Sequence, residues 1–148
     1  MSDRKQRDER GEPDWHPITM LPMIAMAVDG QVNALEEGYG NLKRARVKPH
    51  VLDDATVERT IKVHQKTLGD AWLFEEQLAR WGREELDGAQ RKEVERLTGQ
   101  MAKYREICTN VIELAQELKK GTIDSIMGMS DEELAMAVLM GKLKLPKS

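Results

Sequence analysis

The sequence has few of the residues on which many kinds of functional site depend. It has one cysteine, Cys108, in 148 residues, which excludes an intrachain disulfide framework and a zinc site built on several cysteines. Aromatic residues make up 4% of the chain, which disfavours the platforms that stack single-stranded nucleic acid on aromatic rings. Glycine-rich phosphate loops, His-Glu-x-x-His and Gly-x-Ser-x-Gly are absent as well. We therefore expect a protein that is not an enzyme and has no cofactor.

Long hydrophobic runs are also missing. The longest, Met20 to Val28, has nine residues and contains Pro22, whereas a helix that spans a membrane needs about 20. No apolar stretch followed by small residues marks a secretory cleavage site. The 23 basic and 26 acidic residues give a formal net charge of −3, which is typical neither of a nucleic-acid binder nor of an acidic tail. We expect a cytoplasmic protein without a membrane segment.

The chain divides into three parts by composition. Residues 1–14 contain only Met1 as an apolar side chain, which predicts a disordered charged arm. Residues 15–120 carry three helical patterns and predict one helical bundle, in keeping with the usual size of a single domain. Residues 121–148 predict a C-terminal helical hairpin, which packs either on its own bundle or on a second chain.

Apolar residues recur at alternating spacings of three and four in three long segments. The patterns run from Leu21 to Leu42, from Val57 to Leu78 and from Val94 to Leu118. This spacing is a heptad seam, and long helices joined by short turns pack side by side in opposite directions. The sequence predicts an all-α fold, namely an elongated antiparallel three-helix bundle with coiled-coil-like heptads and a short C-terminal helical hairpin or fourth helix.

Polar residues that favour helix starts flank these patterns. Thr19 is predicted as the N-cap of the first helix, and Asp53 and Asp54 as candidate caps of the second. Ser130 and Glu133 form the Ser-x-x-Glu capping box of a last helix over about residues 132–143. Alternation with a period of two is absent, so no strand is predicted.

Two segments are apolar on nearly every side: residues 20–28, and residues 134–140 followed by Leu143 and Leu145. Seven of the nine methionines lie in or just before these segments, at positions 20, 23, 26, 127, 129, 136 and 140. A helix that is apolar all round must be buried all round. Flexible thioethers suit an adaptable interface, although they also suit an irregular core. We expect these segments and an aromatic cluster of the second helix to bind a second copy of the chain and a further protein partner. The predicted interface residues are Met20, Met23, Met26, Trp72, Phe74, Trp81, Leu134, Met136, Leu139, Met140 and Leu143.

An alternative function uses the basic end of the predicted bundle. In an antiparallel three-helix bundle, the end of the first helix, the start of the second and the end of the third lie at the same end. The cations gathered there would bind an anion or a nucleic-acid backbone, but cations at helix C-termini are also what the helix dipole favours. The residues are Lys43, Arg44, Arg46, Lys48, Lys62, Lys66, Lys119 and Lys120.

A third hypothesis places a metal ion or small ligand around Glu36, His64 and Glu75. Helical bundles that bind metal direct Glu and Glu-x-x-His sets inward, but this sequence has no Glu-x-x-His. His64 and Glu75 are separated by about 16 Å along one helix, which is too far for one ion. A polar pair that fixes helix register is the competing explanation. Cys108 lies in the most regular seam, where it is expected to act as a small hydrophobic residue.

Overall fold

The computed structural model describes residues 13–48, 52–122 and 127–140. Its regular elements are a 3-10 turn, Ile18–Met20, and four α-helices: α1 (Leu21–Ala45), α2 (Asp54–Gly82), α3 (Gly88–Lys119) and α4 (Asp131–Leu139). No strand occurs in the described ranges. The all-α prediction is therefore confirmed, and the helix packing is consistent with a bundle. Predictions for residues 1–12, 123–126 and 141–148, including Leu143 and the end of the last helix, lie outside the described residues.

Two of the predicted N-caps are confirmed by hydrogen bonds. The Asp53 carboxylate accepts a hydrogen bond from the Thr56 N–H at 2.7 Å, directly before α2. The Ser130 hydroxyl oxygen accepts the Glu133 N–H at 3.2 Å, directly before α4. Each side chain satisfies an N–H group that has no partner within the first helical turn.

The chain enters α1 differently from the prediction. Thr19 is not an N-cap, because it lies inside the 3-10 turn, whose own N-cap position is Pro17. α1 begins at Leu21, so Pro22 still falls in the first helical turn, where a missing N–H costs nothing.

The chain divides into two compact units, each of which takes segments from all three long helices. Unit 1 combines Met1–Ala34 with Gly69–Arg105, and unit 2 combines Leu35–Leu68 with Glu106–Ser148. In both units the α3 seam is buried at every predicted position. Those positions are Val94, Leu97, Met101, Tyr104, Cys108, Val111, Ala115 and Leu118.

The α2 seam is buried less completely than the α3 seam. Val57, Ala71 and Leu78 are buried, whereas Ile61, His64, Leu68 and Glu75 are only half-buried. Because aliphatic as well as ionisable positions are half-buried, the α2 seam as a whole is covered less closely than the α3 seam.

Ion pairs join the helices within unit 1. The Arg96 guanidinium of α3 donates two hydrogen bonds to the Asp29 carboxylate of α1, at 3.0 and 2.8 Å. The Arg105 guanidinium of α3 donates two to the Glu75 carboxylate of α2, both at 2.6 Å. Bidentate pairs of this kind are the strong form of the charged hydrogen bond, so they fix the register of the helices that they join.

One helical stretch, Ile18–Ala45, is long and apolar enough to cross a membrane by length and composition. Its most apolar window has a mean hydropathy of 1.3 and is 33% buried. This window is wider than the nine-residue run on which the prediction of no membrane segment was based. Core helices of soluble proteins and N-terminal signal sequences have the same composition, so the finding does not assign a location.

Candidate interaction surfaces

The outward side of the first half of α1 has no charged side chain. Met23 is 45% exposed and Met26 is 78% exposed, and Ala27, Gly30 and Ala34 are exposed on the same side. The only ionisable residue in positions 22–34 is the aspartate already paired with α3. A Cβ atom at Gly30 would meet nothing within 4 Å, so another chain has room to approach the backbone. We call these five residues the α1 face.

The short helix α4 exposes apolar side chains along its length. Met136 is 56% and Leu139 81% exposed, and Met140 at the C-cap position of α4 is 60% exposed, while Leu134 is half-buried. None of its nine residues is buried. An isolated helix of fewer than about 12 residues is only marginally stable in water, so we expect α4 to be stabilised by a surface that covers these side chains.

The aromatic cluster predicted as part of the interface is divided between core and surface. Trp81 is fully buried, which corrects its assignment to the interface, because a side chain in the core cannot contact a partner. Phe74 is half-buried, with its ring 6.3 Å from that of Tyr104. Trp72 remains 44% exposed. Met20 is half-buried as well, so Met23, Met26 and Trp72 are the exposed part of the predicted surface in unit 1.

The extended segment before α1 is held by polar side chains of α2. The Gln77 side-chain oxygen accepts the His16 backbone N–H at 2.7 Å, and the Gln77 side-chain nitrogen donates to the His16 carbonyl at 3.2 Å. The Trp81 indole N–H donates to the same carbonyl at 2.9 Å. Gln77 is only 4% exposed, so its buried amide is satisfied by the backbone of His16 rather than by water.

Trp15, which the sequence analysis did not single out, fixes the other end of this segment. Its ring stands edge-on to that of Trp72, with ring centroids 6.3 Å apart and planes at 74°. The Arg80 guanidinium lies 4.4 Å from the centre of the Trp15 ring, a cation–π distance. The flanking prolines Pro13 and Pro17 are the sequence signal for an extended segment at this place.

The basic residues predicted as an anion site all fall in unit 2, and several are already engaged. Lys119 donates to the Glu58 carboxylate at 2.9 Å, a hydrogen bond that raises the pKa of Lys119. Arg46 lies 3.8 Å from the Glu117 carboxylate. Lys43 lies over the Tyr39 ring, Arg44 donates to Asn41, and Lys48, Lys62 and Lys120 are exposed. The ion pairs reduce the positive charge that this region offers to an anion.

The three residues of the metal hypothesis do not form a metal-binding group. Among the described residues, no three His, Cys, Asp or Glu side chains are placed to hold an ion. Glu75 binds Arg105 instead, and His64 Nδ1 lies 2.8 Å from the Thr60 carbonyl oxygen. The arrangement is that of polar residues satisfied within the fold.

Cys108 is fully buried in the α3 seam. Burial raises the pKa of its thiol to about 11, because a thiolate is poorly solvated among apolar side chains. A thiol with this pKa is protonated at neutral pH and is a poor nucleophile.

Comparison of the chain with protein-family models, curated proteins and solved structures finds no match.

Proposed function

We propose that this chain is a non-enzymatic helical interaction protein that self-associates and binds a protein partner through exposed apolar surface. Two surfaces are proposed: one in unit 1, formed by the α1 face and Trp72, and one in unit 2, formed by the apolar side chains of α4. The observation that carries the proposal is the exposure of Met26, Leu139 and Met140, at 78%, 81% and 60%. Met136, Leu139 and Met140 are three and four positions apart, so their side chains are neighbours, and an exposed patch of large apolar side chains marks a site that another molecule covers.

The α1 face supports self-association in particular. A face without charge meets its own copy across a two-fold axis with no like-charge repulsion. Its small residues, Ala27, Gly30 and Ala34, allow two helices to approach closely, while the methionines adapt to the opposing surface. Burying the exposed part of each methionine stabilises the contact at about 25 cal/mol per Å² of apolar surface.

The proposal includes an antiparallel arrangement of α1, α2 and α3. Its support lies within unit 2, where Lys119 donates to Glu58 and Thr122, which follows α3, donates to Asp54 at the start of α2. In these two contacts the higher residue number on one side meets the lower number on the other, as is usual for neighbouring helices joined by a short connection.

Light scattering of the full chain tests self-association. We expect the mass to exceed that of one chain at concentrations of about 100 μM, and to fall to that of one chain in Met26→Lys or Leu139→Lys. Val63→Lys is the matched control, because Val63 is 53% exposed on α2 but belongs to neither surface. A wild-type chain that stays monomeric throughout contradicts self-association, and equal effects of all three variants contradict the assigned surface.

A further inference from the structure

We propose that Trp72, Gln77, Arg80 and Trp81 form a peptide-binding clip on α2. The clip accepts an extended peptide that has an aromatic residue, then any residue, then proline. In this structure it holds residues 15–17 of its own chain, Trp-His-Pro, which act as a built-in competitor of a peptide from another protein. The clip shares Trp72 with the proposed interaction surface, but its hydrogen bonds come from Gln77 and Trp81, which are not part of that surface, so peptide binding is tested separately from self-association.

The centre of the clip recognises a peptide backbone rather than a side chain. Gln77 binds both the N–H and the carbonyl of His16, at 2.7 and 3.2 Å, and Trp81 adds a second hydrogen bond to the carbonyl at 2.9 Å. An amide side chain that presents an acceptor and a donor to one residue matches the backbone of any extended residue other than proline. The His16 side chain is exposed, so the clip sets no requirement at this position.

The specificity of the clip comes from the positions on either side. The preceding aromatic ring is held between the edge contact with Trp72 and the Arg80 guanidinium. Both contacts need a π-system and not a particular polar group. The following residue, Pro17, has φ −69° and ψ 160°, the extended conformation that proline adopts at low entropic cost.

The occupied clip is able to exchange its ligand, because a second peptide offers the Gln77 amide and the Trp81 indole the same backbone N–H and carbonyl partners. Leaving Gln77 and Trp81 unpaired is costly, but a peptide in trans restores all three hydrogen bonds. The intramolecular segment competes at an effective concentration on the order of 1 mM. A free peptide with the same contacts therefore binds the wild-type chain weakly and binds a chain with a weakened segment more tightly.

Fluorescence anisotropy with the full-length chain tests the clip. The probe is a fluorescein-labelled, blocked peptide with the sequence of residues 13–18, Pro-Asp-Trp-His-Pro-Ile. We expect Trp15→Ala to bind the probe at least about 10-fold more tightly than the wild type, because the competitor loses its ring contacts. A probe in which alanine replaces the tryptophan should bind at least about 10-fold more weakly to the same variant.

Two further substitutions separate recognition from general stability. In the Trp15→Ala background, Gln77→Ala should weaken probe binding by at least about 10-fold. Gln65→Ala is the matched control, because Gln65 is an exposed residue of the same helix, and it should leave binding unchanged. The proposal is overturned by a folded Trp15→Ala chain that binds no better than the wild type, or by binding that Gln77→Ala does not change.

A second measurement needs no substitution. The three tryptophans give three indole N–H signals in the ¹⁵N-labelled wild type. With about 5 mM unlabelled peptide, the Trp15 signal should move toward its random-coil position while Trp81 keeps a hydrogen-bonded shift. A Trp15 signal that does not move at this concentration overturns the proposal, even where Trp15→Ala fails to fold.

Discussion

Gln77 binds one residue, His16, through both polar atoms of its side-chain amide, although the two residues are 61 positions apart in the chain. This pairing joins the segment before α1 to the C-terminal half of α2 in unit 1. It also keeps the buried Trp81 indole satisfied, because the His16 carbonyl accepts both donors. The backbone of a single residue thus completes the hydrogen bonding of two core side chains.

The burial of Trp81 predicts a large loss of stability on truncation. We expect Trp81→Ala to lower the free energy of unfolding by about 2 to 4 kcal/mol, through the cavity left in the core and the lost hydrogen bond. Trp72→Ala should cost about 1 kcal/mol, since Trp72 is 44% exposed. Urea denaturation followed by circular dichroism measures both changes. Equal losses for the two variants would show that Trp81 is not in the core.

The Asp29–Arg96 pair predicts a loss of stability in acid. Hydrogen bonds from Arg96 and then Gln100 lower the pKa of the Asp29 carboxyl, so its folded value lies below its unfolded value. The contribution of Asp29 is therefore present above the unfolded pKa and is lost as the pH falls through the folded pKa. As the pH falls from about 5 to about 2, the free energy of unfolding of Asp29→Asn should decrease less than that of the wild type.

The control for this prediction is Glu37→Gln, which removes the same charge from an exposed position of the same helix; Asp29→Asn should flatten the dependence of stability on pH more than this variant does. Arg96 also lowers the pKa of Glu93, so Arg96→Gln should flatten the slope further than Asp29→Asn. Urea denaturation at several pH values gives, for each variant, the slope of the free energy of unfolding against pH. Identical slopes for the wild type and Asp29→Asn would contradict the role of this pair.

The buried thiol predicts slow modification of the native chain. With a pKa of about 11, Cys108 is about 0.1% thiolate at pH 8, whereas an unperturbed cysteine is about one quarter thiolate. An aromatic disulfide reagent at pH 8 should react with the native chain at least about 100-fold more slowly than with the chain in denaturant. Comparable rates in the two conditions would place Cys108 outside the core.

A reciprocal cap before α3 predicts a moderate effect on stability. The Asp87 carboxylate accepts the Gln90 N–H at 2.7 Å, and the Gln90 side chain accepts the Asp87 N–H at 3.0 Å. Asp87→Ala should lower the free energy of unfolding by about 1 kcal/mol. Glu95→Ala, at an exposed position of the same helix, should change it by less than about 0.5 kcal/mol. If both variants unfold at the same urea concentration, the cap contributes nothing.

Sequence patterns predicted the helices well where the apolar seam is unbroken. Every predicted seam position of α3 is buried, because nothing polar interrupts its spacing between Val94 and Leu118. In α2 the prediction was less reliable, since the apolar arc includes both Trp72 and Trp81 and the pattern does not separate a core side chain from a surface one. Periodicity reports which side of a helix is apolar, but not what covers it.

The clip was not predictable from the sequence pattern. Its central contact joins a side-chain amide to the backbone of a distant residue. Because this contact uses only backbone atoms, it requires no particular residue type at position 16, and the sequence gives no signal of it. The predicted disordered arm was ended at residue 14 because the charged residues stop there. This boundary lies one position before Trp15, whose ring packs against Trp72. An aromatic residue between two prolines, Pro13 and Pro17, is the local signal that an extended segment is anchored here.

The most direct test of the central claim, self-association through the exposed apolar surface, is the concentration dependence of the methionine methyl signals in NMR. Between about 5 μM and about 500 μM, the signals of Met23, Met26, Met136 and Met140 should shift as the contact forms. Met101, which is only 1% exposed, is the internal control and should stay in place. If the exposed methionine signals are constant over this range, the chain does not associate through this surface and the proposed function is wrong.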